Sequence, residues 1–263
     1  MRITLIGAGR VATHLGRALR DAGHEVGQVY SHTLAHAEPL AKVLGAEAIN
    51  DLSNLRVGSD IYLFCLKDAV LEQVASECLT ALRSQEATCC PLFAHTGGSM
   101  SLDVLPTERR AVLWPMQTFS MDRDVDWQQV HVFTEATSDE ALLREMLDGI
   151  TPHVHSVSAP QRQRLHLASV FACNFSNHMY TLSARLLEEI GVGFDALLPL
   201  VDETVRKVHQ LSPREAQTGP AVRGDENVMR KHLDALQGDP LLQQIYQTIS
   251  KSIHDDQLRS QEN

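Results

Sequence analysis

The sequence has no apolar run long enough to cross a bilayer; the segment MRITLIGAG is too short and leads directly into glycines, so no membrane association is expected. It also has no cluster of lysines and arginines. With a formal net charge of -10, it lacks the electrostatic footprint for a phosphate backbone, which argues against nucleic acid as a partner. An anionic cofactor is not excluded, because local backbone amides and one or two bases suffice to hold it. The five cysteines, Cys65, Cys78, Cys89, Cys90 and Cys173, form neither an even disulfide framework nor a CxxC metal knuckle, and are expected to be reduced. His153 and His155 alternate along a strand signal without obvious convergence, and no metal site is expected. No internal repeat or low-complexity tract is present. At 43% hydrophobic and 21% charged residues, the composition is that of a globular protein, expected in the cytoplasm.

What is present is an alternation of short apolar segments with helical ones. Arg2 to Ile6 and Glu25 to Tyr30 read as buried strands flanking a helix from Val11 to Ala22, with a turn at Gly23 and His24. A helix from Ala35 to Leu44, a strand from Ile61 to Leu66, a helix from Val70 to Leu82 and a strand from Cys90 to His95 continue the pattern. That order predicts a parallel sheet covered on both faces by helices. Strand signals at Ala111 to Trp114, Val130 to Thr134 and Val154 to Val157, with a helix from Asp139 to Leu147, are candidates to extend it. After Pro160 the texture is helical: one long helix from Gln161 to Glu189, then Phe194 to His209, Glu226 to Ala235 and Pro240 to Ile253, ending in a polar, frayed tail. The expected class is α/β: a Rossmann-like doubly wound sheet over residues 1–158 that binds a dinucleotide, then an all-helical domain over residues 159–263. The long helix is apolar on more than one face, so the helical domain is expected to form a homodimer and to contribute to substrate binding.

In ITLIGAGRVATHLGRAL, Gly7, Gly9 and Ala12 have G-x-G-x-x-A spacing between a strand and a helix. Gly7 permits the tight turn, Gly9 lets a pyrophosphate approach the backbone, and Ala12 allows close packing of helix on strand. Val11 begins the helix, whose free N–H groups and positive end suit phosphates, and Arg10 stands beside the turn. Where NAD sites carry a carboxylate after the second strand, this chain has Ser31, His32 and Thr33. With no carboxylate to repel a 2'-phosphate, and with His32 and Arg10 to attract it, NADP is expected over NAD. Arg10 and His32 could equally be plain surface residues.

Ligands of such sheets lie outside the carboxyl ends of the strands. Leu66 arrives there, followed by Lys67 and Asp68, which either face the ligand or cap the next helix. His95, Thr96, Gly97, Gly98 and Ser99 form the loop after a buried strand, where paired glycines bring backbone close to a ligand and hydroxyls add donors. Leu66 and His95 are assigned to the cofactor, and Thr96, Gly97, Gly98 and Ser99 to the substrate. Gln117, in WPMQTFS, is a further substrate candidate. On the long helix, His166, Ser169 or Val170, Cys173 and Asn177 share a stripe, with Asn174 one position round. His166 is the candidate proton donor and Asn174 the candidate to orient a carbonyl or imine, against the alternative of a satisfied core histidine. Arg223, in TGPAVRGDENV, either grips a substrate carboxylate or phosphate, or pairs with Asp225 or a helix end.

The combination of GAGRVATHLG, FAHTGGS, WPMQTFS, LHLASVFACNFSNHMY and TGPAVRGD resembles the DUF2520-type family of short, two-domain, Rossmann-like oxidoreductases over almost the whole chain. Wider relatives resemble pyrroline-5-carboxylate reductases, the NADP reductases that use deazaflavin F420, and the 6-phosphogluconate and 3-hydroxyisobutyrate dehydrogenases. The resemblance implies NAD(P) at Gly7, Gly9 and Ala12, a dimerising helical domain, and a substrate role for Gly97, Gly98 and Ser99. Two departures stand out. The hydroxyacid dehydrogenases carry a catalytic lysine on the long helix, where this chain offers His166; and Trp114 stands where a histidine would be expected before the proline of PMQTF. Two functions therefore compete: an NADP-dependent oxidoreductase acting on a small carbonyl, hydroxy-acid or imine, and a non-catalytic NADP-binding regulatory or sensor dimer.

Overall fold

The computed structural model describes residues 1–86 and 88–261, with side chains through residue 259. Contacts divide the chain into two compact units, Met1–His178 and Met179–Asn263. In the first, the order is β1 (Arg2–Ile6), α1 (Arg10–Asp21), β2 (Glu25–Tyr30), α2 (Leu34–Leu44), β3 (Glu47–Ile49), β4 (Ile61–Phe64), α3 (Asp68–Gln85), β5 (Leu92–His95), β6 (Arg110–Pro115), β7 (Val132–Ala136), α4 (Glu140–Leu147), β8 (Val154–Ser156) and α5 (Ala159–Ser169). The eight strands form one sheet in the order β3-β2-β1-β4-β5-β6-β7-β8. Pairing is parallel except between β6 and β7. The α/β, Rossmann-like class expected from the alternation is what the chain adopts.

The two-residue period of the strands builds two cores. Ile3 and Leu5 of β1, Ile61 and Leu63 of β4, and Ala111 and Leu113 of β6 face one side with Leu15, Leu19 and Leu40. Ile6, Tyr62, Phe64 and Phe93 face the other, against Leu71, Ala75 and Leu79 of α3. Each fully buried Leu, Ile or Phe among them contributes roughly 1.5–3 kcal/mol. A third, smaller cluster joins Val112, Trp114 and Phe133. The thiols of Cys65 and Cys78 are pushed up to about 12 by burial, and all five cysteines are free. Cys78 is buried, Cys65 and Cys89 are half-buried, and Cys90 and Cys173 are exposed.

Beyond shifts of element ends, and a 3-10 turn at Phe194–Leu197 that opens the helix expected from Phe194, the structure differs from the sequence reading in four main places. β3 is only three residues long, too short to show a period. β7 is antiparallel because an apolar run encodes burial and not direction, and the connector from Met116 to His131 is long enough for either sense. The expected single long helix is interrupted: α5 gives way to a π-helical segment at Val170–Phe175 before α6 (Ser176–Glu188). The wider turn rotates everything beyond it, so the stripe projected from His166 through Cys173 to Asn177 is not one continuous face. Finally, the carboxyl-terminal segment does not fray where expected. It continues α10 (Pro240–Gln261), supported by Lys251–Asp255 at 2.8 Å and Arg214–Asp256 at 2.6 Å; Glu262 and Asn263 lie outside the described residues.

The second unit contains most of α6, then α7 (Leu198–Gln210), α8 (Pro220–Arg223), α9 (Glu226–Ala235) and α10. An apolar groove in it is lined by residues including Leu182, Leu186, Leu236, Ile245 and Ile249. No helix among the described residues is long and apolar enough to cross a membrane.

Candidate functional site

The turn after β1 is set by Gly7. Its φ of +117° is open only to glycine without strain, and a Cβ there would overlap the carbonyl oxygen of Cys65 and lie 3.2 Å from Leu66 Cδ2. Its N–H donates to the Tyr30 carbonyl at 2.8 Å, locking the turn to β2. Gly9, the residue before α1, is different: an added Cβ would meet nothing within 4 Å. Open space therefore stands before the first turn of α1, where Arg10, Val11 and Ala12 carry N–H groups without intrahelical partners and the turn itself contains no acidic residue. This is the geometry a pyrophosphate needs, so the residues present fit a dinucleotide. Ala12, in the first turn of α1, is fully buried. Ser31, His32 and Thr33 follow β2, the neighbour of β1, with Ser31 half-buried and the other two exposed. Arg10 is also exposed.

The loop after β5 is organised from below. His95 is completely buried; its Nδ1 accepts the Gly97 N–H at 3.1 Å and its Nε2 donates to the Ser101 carbonyl at 3.2 Å. Burial, reinforced by the nearby Arg162 charge, lowers its pKa to about 4 and keeps it neutral. With both nitrogens spent, His95 offers a ligand the shape of the loop and not its imidazole. Thr96 N–H donates to the Phe64 carbonyl at 3.1 Å, tying the loop to the end of β4. Ser99 Oγ donates to Asp68 Oδ2 at 3.1 Å, so Asp68, first residue of α3, also touches this loop.

Arg162 was not among the candidates read from sequence. It is fully buried, and its Nη1 reaches the carbonyl oxygens of Gly98 at 2.8 Å, Met100 at 2.6 Å and Gly97 at 3.4 Å. Its Nη2 pairs with Glu135 Oε2 of β7 at 2.8 Å. A signal for it existed: Arg162, Leu165, His166 and Ser169 are spaced i, i+3, i+4, i+7, so Arg162 shares the inward face of α5 with His166.

Above this loop sit Trp114 and His166. Their rings meet edge to face with centroids 5.6 Å apart. A Cβ added to Gly98 would lie 2.7 Å from Trp114 Cε2 and 2.9 Å from His166 Nδ1. His166 Nδ1 is buried and has no hydrogen-bond partner among the described residues. Trp114 continues through Phe133 to His155, whose ring lies beside His131, itself stacked on His153 at 4.5 Å. These histidines are thus neighbours, although among the described residues no group of three or more His, Cys, Asp or Glu is arranged to hold a metal.

The remaining candidates stand outside this packed cluster. Gln117 is exposed and its Oε1 accepts from the Thr118 N–H at 2.7 Å. Asn174 is exposed within the π-helical segment. Arg223 belongs to the second unit, exposed and without an ion pair among the described residues; Asp225 instead caps α9 by accepting from the Val228 N–H at 3.2 Å. Within the first unit, Gly7, Leu66, the loop from His95 to Ser99 and Gln117 follow the carboxyl ends of β1, β4, β5 and β6, which are adjacent strands.

A doubly wound, mostly parallel sheet with a glycine turn after its first strand and a helical carboxyl-terminal region defines a Rossmann-like protein. Residues 1–116 match the model of the Rossmann-like domain, and residues 130–253 match that of the domain of unknown function DUF2520. A crystal structure from Bacteroides fragilis, described as a "putative NADP oxidoreductase", is 42% identical, with 97% of this chain and 98% of that one covered and a TM-score of 0.88. The chain belongs to this DUF2520 family of Rossmann-like proteins. Two more distant structures share the fold. Protein TM1727 from Thermotoga maritima is 18% identical, with 98% of this chain and 99% of that chain covered, at a TM-score of 0.74. The imine reductase from Myxococcus stipitatus, solved with NADP+, is 17% identical, with 100% and 94% covered, at a TM-score of 0.65. Comparison with curated proteins finds no match.

Proposed function

We propose that this protein is an NADP-dependent oxidoreductase acting on a small carbonyl, hydroxy-acid or imine substrate. The observation that carries the reading is the open space before Gly9 at the amino end of α1, on the same sheet edge as the double-glycine loop. The description of the 42% identical relative as an NADP oxidoreductase, and the NADP+ complex of the imine reductase, support the choice of cofactor. Arg10, His32 and Ser31 are assigned to the 2'-phosphate, with no carboxylate in the segment from Ser31 to Thr33 to oppose it.

When bound, the cofactor supplies or accepts the hydride. The chain's own part is alignment and the proton. Gly97, Gly98 and Ser99 present backbone to the substrate, and Trp114 walls the site and excludes water. His166 transfers the proton through Nε2, the nitrogen not sealed against Gly98. Asn174 and Gln117 orient the reacting group. In this proposal residues 1–158 hold the cofactor and residues 159–263 pair two copies of the chain.

Fluorescence titration with NADPH and NADH tests the first half, with tighter NADPH binding expected. Substrate-dependent NADPH oxidation over a panel of small 2-oxo acids and cyclic imines tests the second. A His166→Ala protein that binds NADPH normally and keeps full turnover would sink the proton-donor role. NADPH binding without oxidation by any panel member would favour the sensor reading, to which the absence of a lysine on the long helix already points.

A further inference from the structure

The carbonyl oxygens of Gly97, Gly98 and Met100 all face the Arg162 guanidinium. In a trans peptide the C=O of one residue and the N–H of the next point in opposite directions. The same contacts therefore turn the N–H groups of Gly98, Ser99 and Ser101 away from Arg162. None of these three makes a hydrogen bond among the described residues, whereas the Gly97 N–H is taken by His95. A charged head buried at 0% exposure is costly unless paired, and here Glu135 supplies the counter-charge from β7 at 2.8 Å. Guanidinium is suited to the task, because its planar fork can bind several carbonyl oxygens and a carboxylate together, which an ammonium cannot match in geometry.

We propose that Arg162, held by Glu135, is a positioning residue that sets the backbone of the loop from Gly97 to Ser101, so that the N–H groups of Ser99 and Ser101 are presented to ligand. This rests on the proposed reading of that loop as the substrate-binding element. Arg162 touches neither substrate nor cofactor in this scheme. It acts through Gly98, which in turn supports Trp114 and His166. An arginine therefore occupies the buried face of α5 beside His166, where an apolar residue would pack at lower cost.

Trp114 is a built-in reporter, because the only other tryptophan is Trp127, and a Trp127→Phe background leaves one emitting ring over the loop. In that background, Arg162→Ala should raise acrylamide quenching of Trp114 about fivefold and speed deuterium exchange in the peptide spanning residues 97–101 at least tenfold. NADPH affinity should stay within threefold of the parent. Millimolar guanidinium, but not ammonium, should restore both signals, a rescue that a general loss of packing would not show. Arg162→Lys should fall between parent and alanine, and Glu135→Gln should give a smaller change in the same direction; these two serve if Arg162→Ala does not fold. Parent-like quenching and exchange in Arg162→Lys and Glu135→Gln, or an Arg162→Ala protein unaffected by guanidinium, would overturn the proposal. Failure of the parent itself to bind NADPH would instead overturn the functional reading, and would leave the quenching and exchange results to be judged on their own.

Discussion

Gly98 and His166 are packed so closely that a methyl group on the glycine would sit 2.9 Å from the imidazole Nδ1, with the Trp114 ring at 2.7 Å closing the other side. Neither neighbour is the far end of a flexible chain. The double glycine of the loop is thus unequal: Gly97, whose added Cβ would meet Met100 Cγ at 3.1 Å, has a neighbour that can move.

Gly98→Ala is expected to destabilise the fold by about 1–3 kcal/mol through overpacking, and to abolish turnover while NADPH binding persists. Gly97→Ala should cost less. Urea denaturation of the two variants checks this, and equal effects would contradict the inequality.

The glycines of the first turn should separate in the same way. Gly7→Ala forces a Cβ into the Cys65 carbonyl at a φ of +117°, so it should lower the melting temperature markedly. Gly9→Ala has open space and a φ of -82°, so the fold should be untouched while NADPH affinity falls at least tenfold, because the added methyl occupies the place of the pyrophosphate. Melting curves beside NADPH titrations read both effects. Normal NADPH affinity in Gly9→Ala would remove the main support for the cofactor site.

His95 makes stability depend on pH. Its folded pKa of about 4 lies below the ordinary 6.5, so between those values the unfolded chain binds a proton that the folded one refuses. Stability is fully present above pH 6.5 and is lost as pH falls toward 4, on the order of 3 kcal/mol in all. Urea midpoints measured from pH 7.5 to 4.5 should show this slope, and His95→Asn should flatten it. An unchanged slope in that variant would mean that another group is responsible.

Phe171 at 62%, Ile190 at 71% and Leu200 at 64% exposure are large apolar side chains left uncovered in the single chain. If two copies pair through the helical part, as proposed, sedimentation at micromolar protein should give a dimer, and Leu200→Asp should weaken it at least tenfold. A wild-type monomer at that concentration would discard the pairing.

Much of the fold was legible because it depends on local pattern. Strands β1, β2 and β4 are short apolar runs bounded by polar residues and turns, and α9 was read to the residue from its period. The glycine turn was legible for a related reason: the spacing of Gly7, Gly9 and Ala12 describes a backbone path that few other residues permit. Less legible were features whose cause lies outside the segment. The π-helical turn at Val170–Phe175 leaves no trace in a run that is apolar all round, so the projection from His166 to Cys173 and Asn177 used the wrong rotation.

By itself, then, the sequence determined the alternation of strands and helices, the glycine turn and the nature of the side chains at the sheet edge, because propensity, periodicity and backbone freedom are local. Only the tertiary structure decided that Arg162 lies under the double-glycine loop, that Glu135 neutralises it from a strand 27 residues away, and that Gly98 has no room for a side chain beneath Trp114 and His166. Those are long-range contacts, made when β5, β6, β7 and α5 come together. Burial of a charge, or the absence of space for a methyl group, is a property of the packed molecule and of no single stretch of chain.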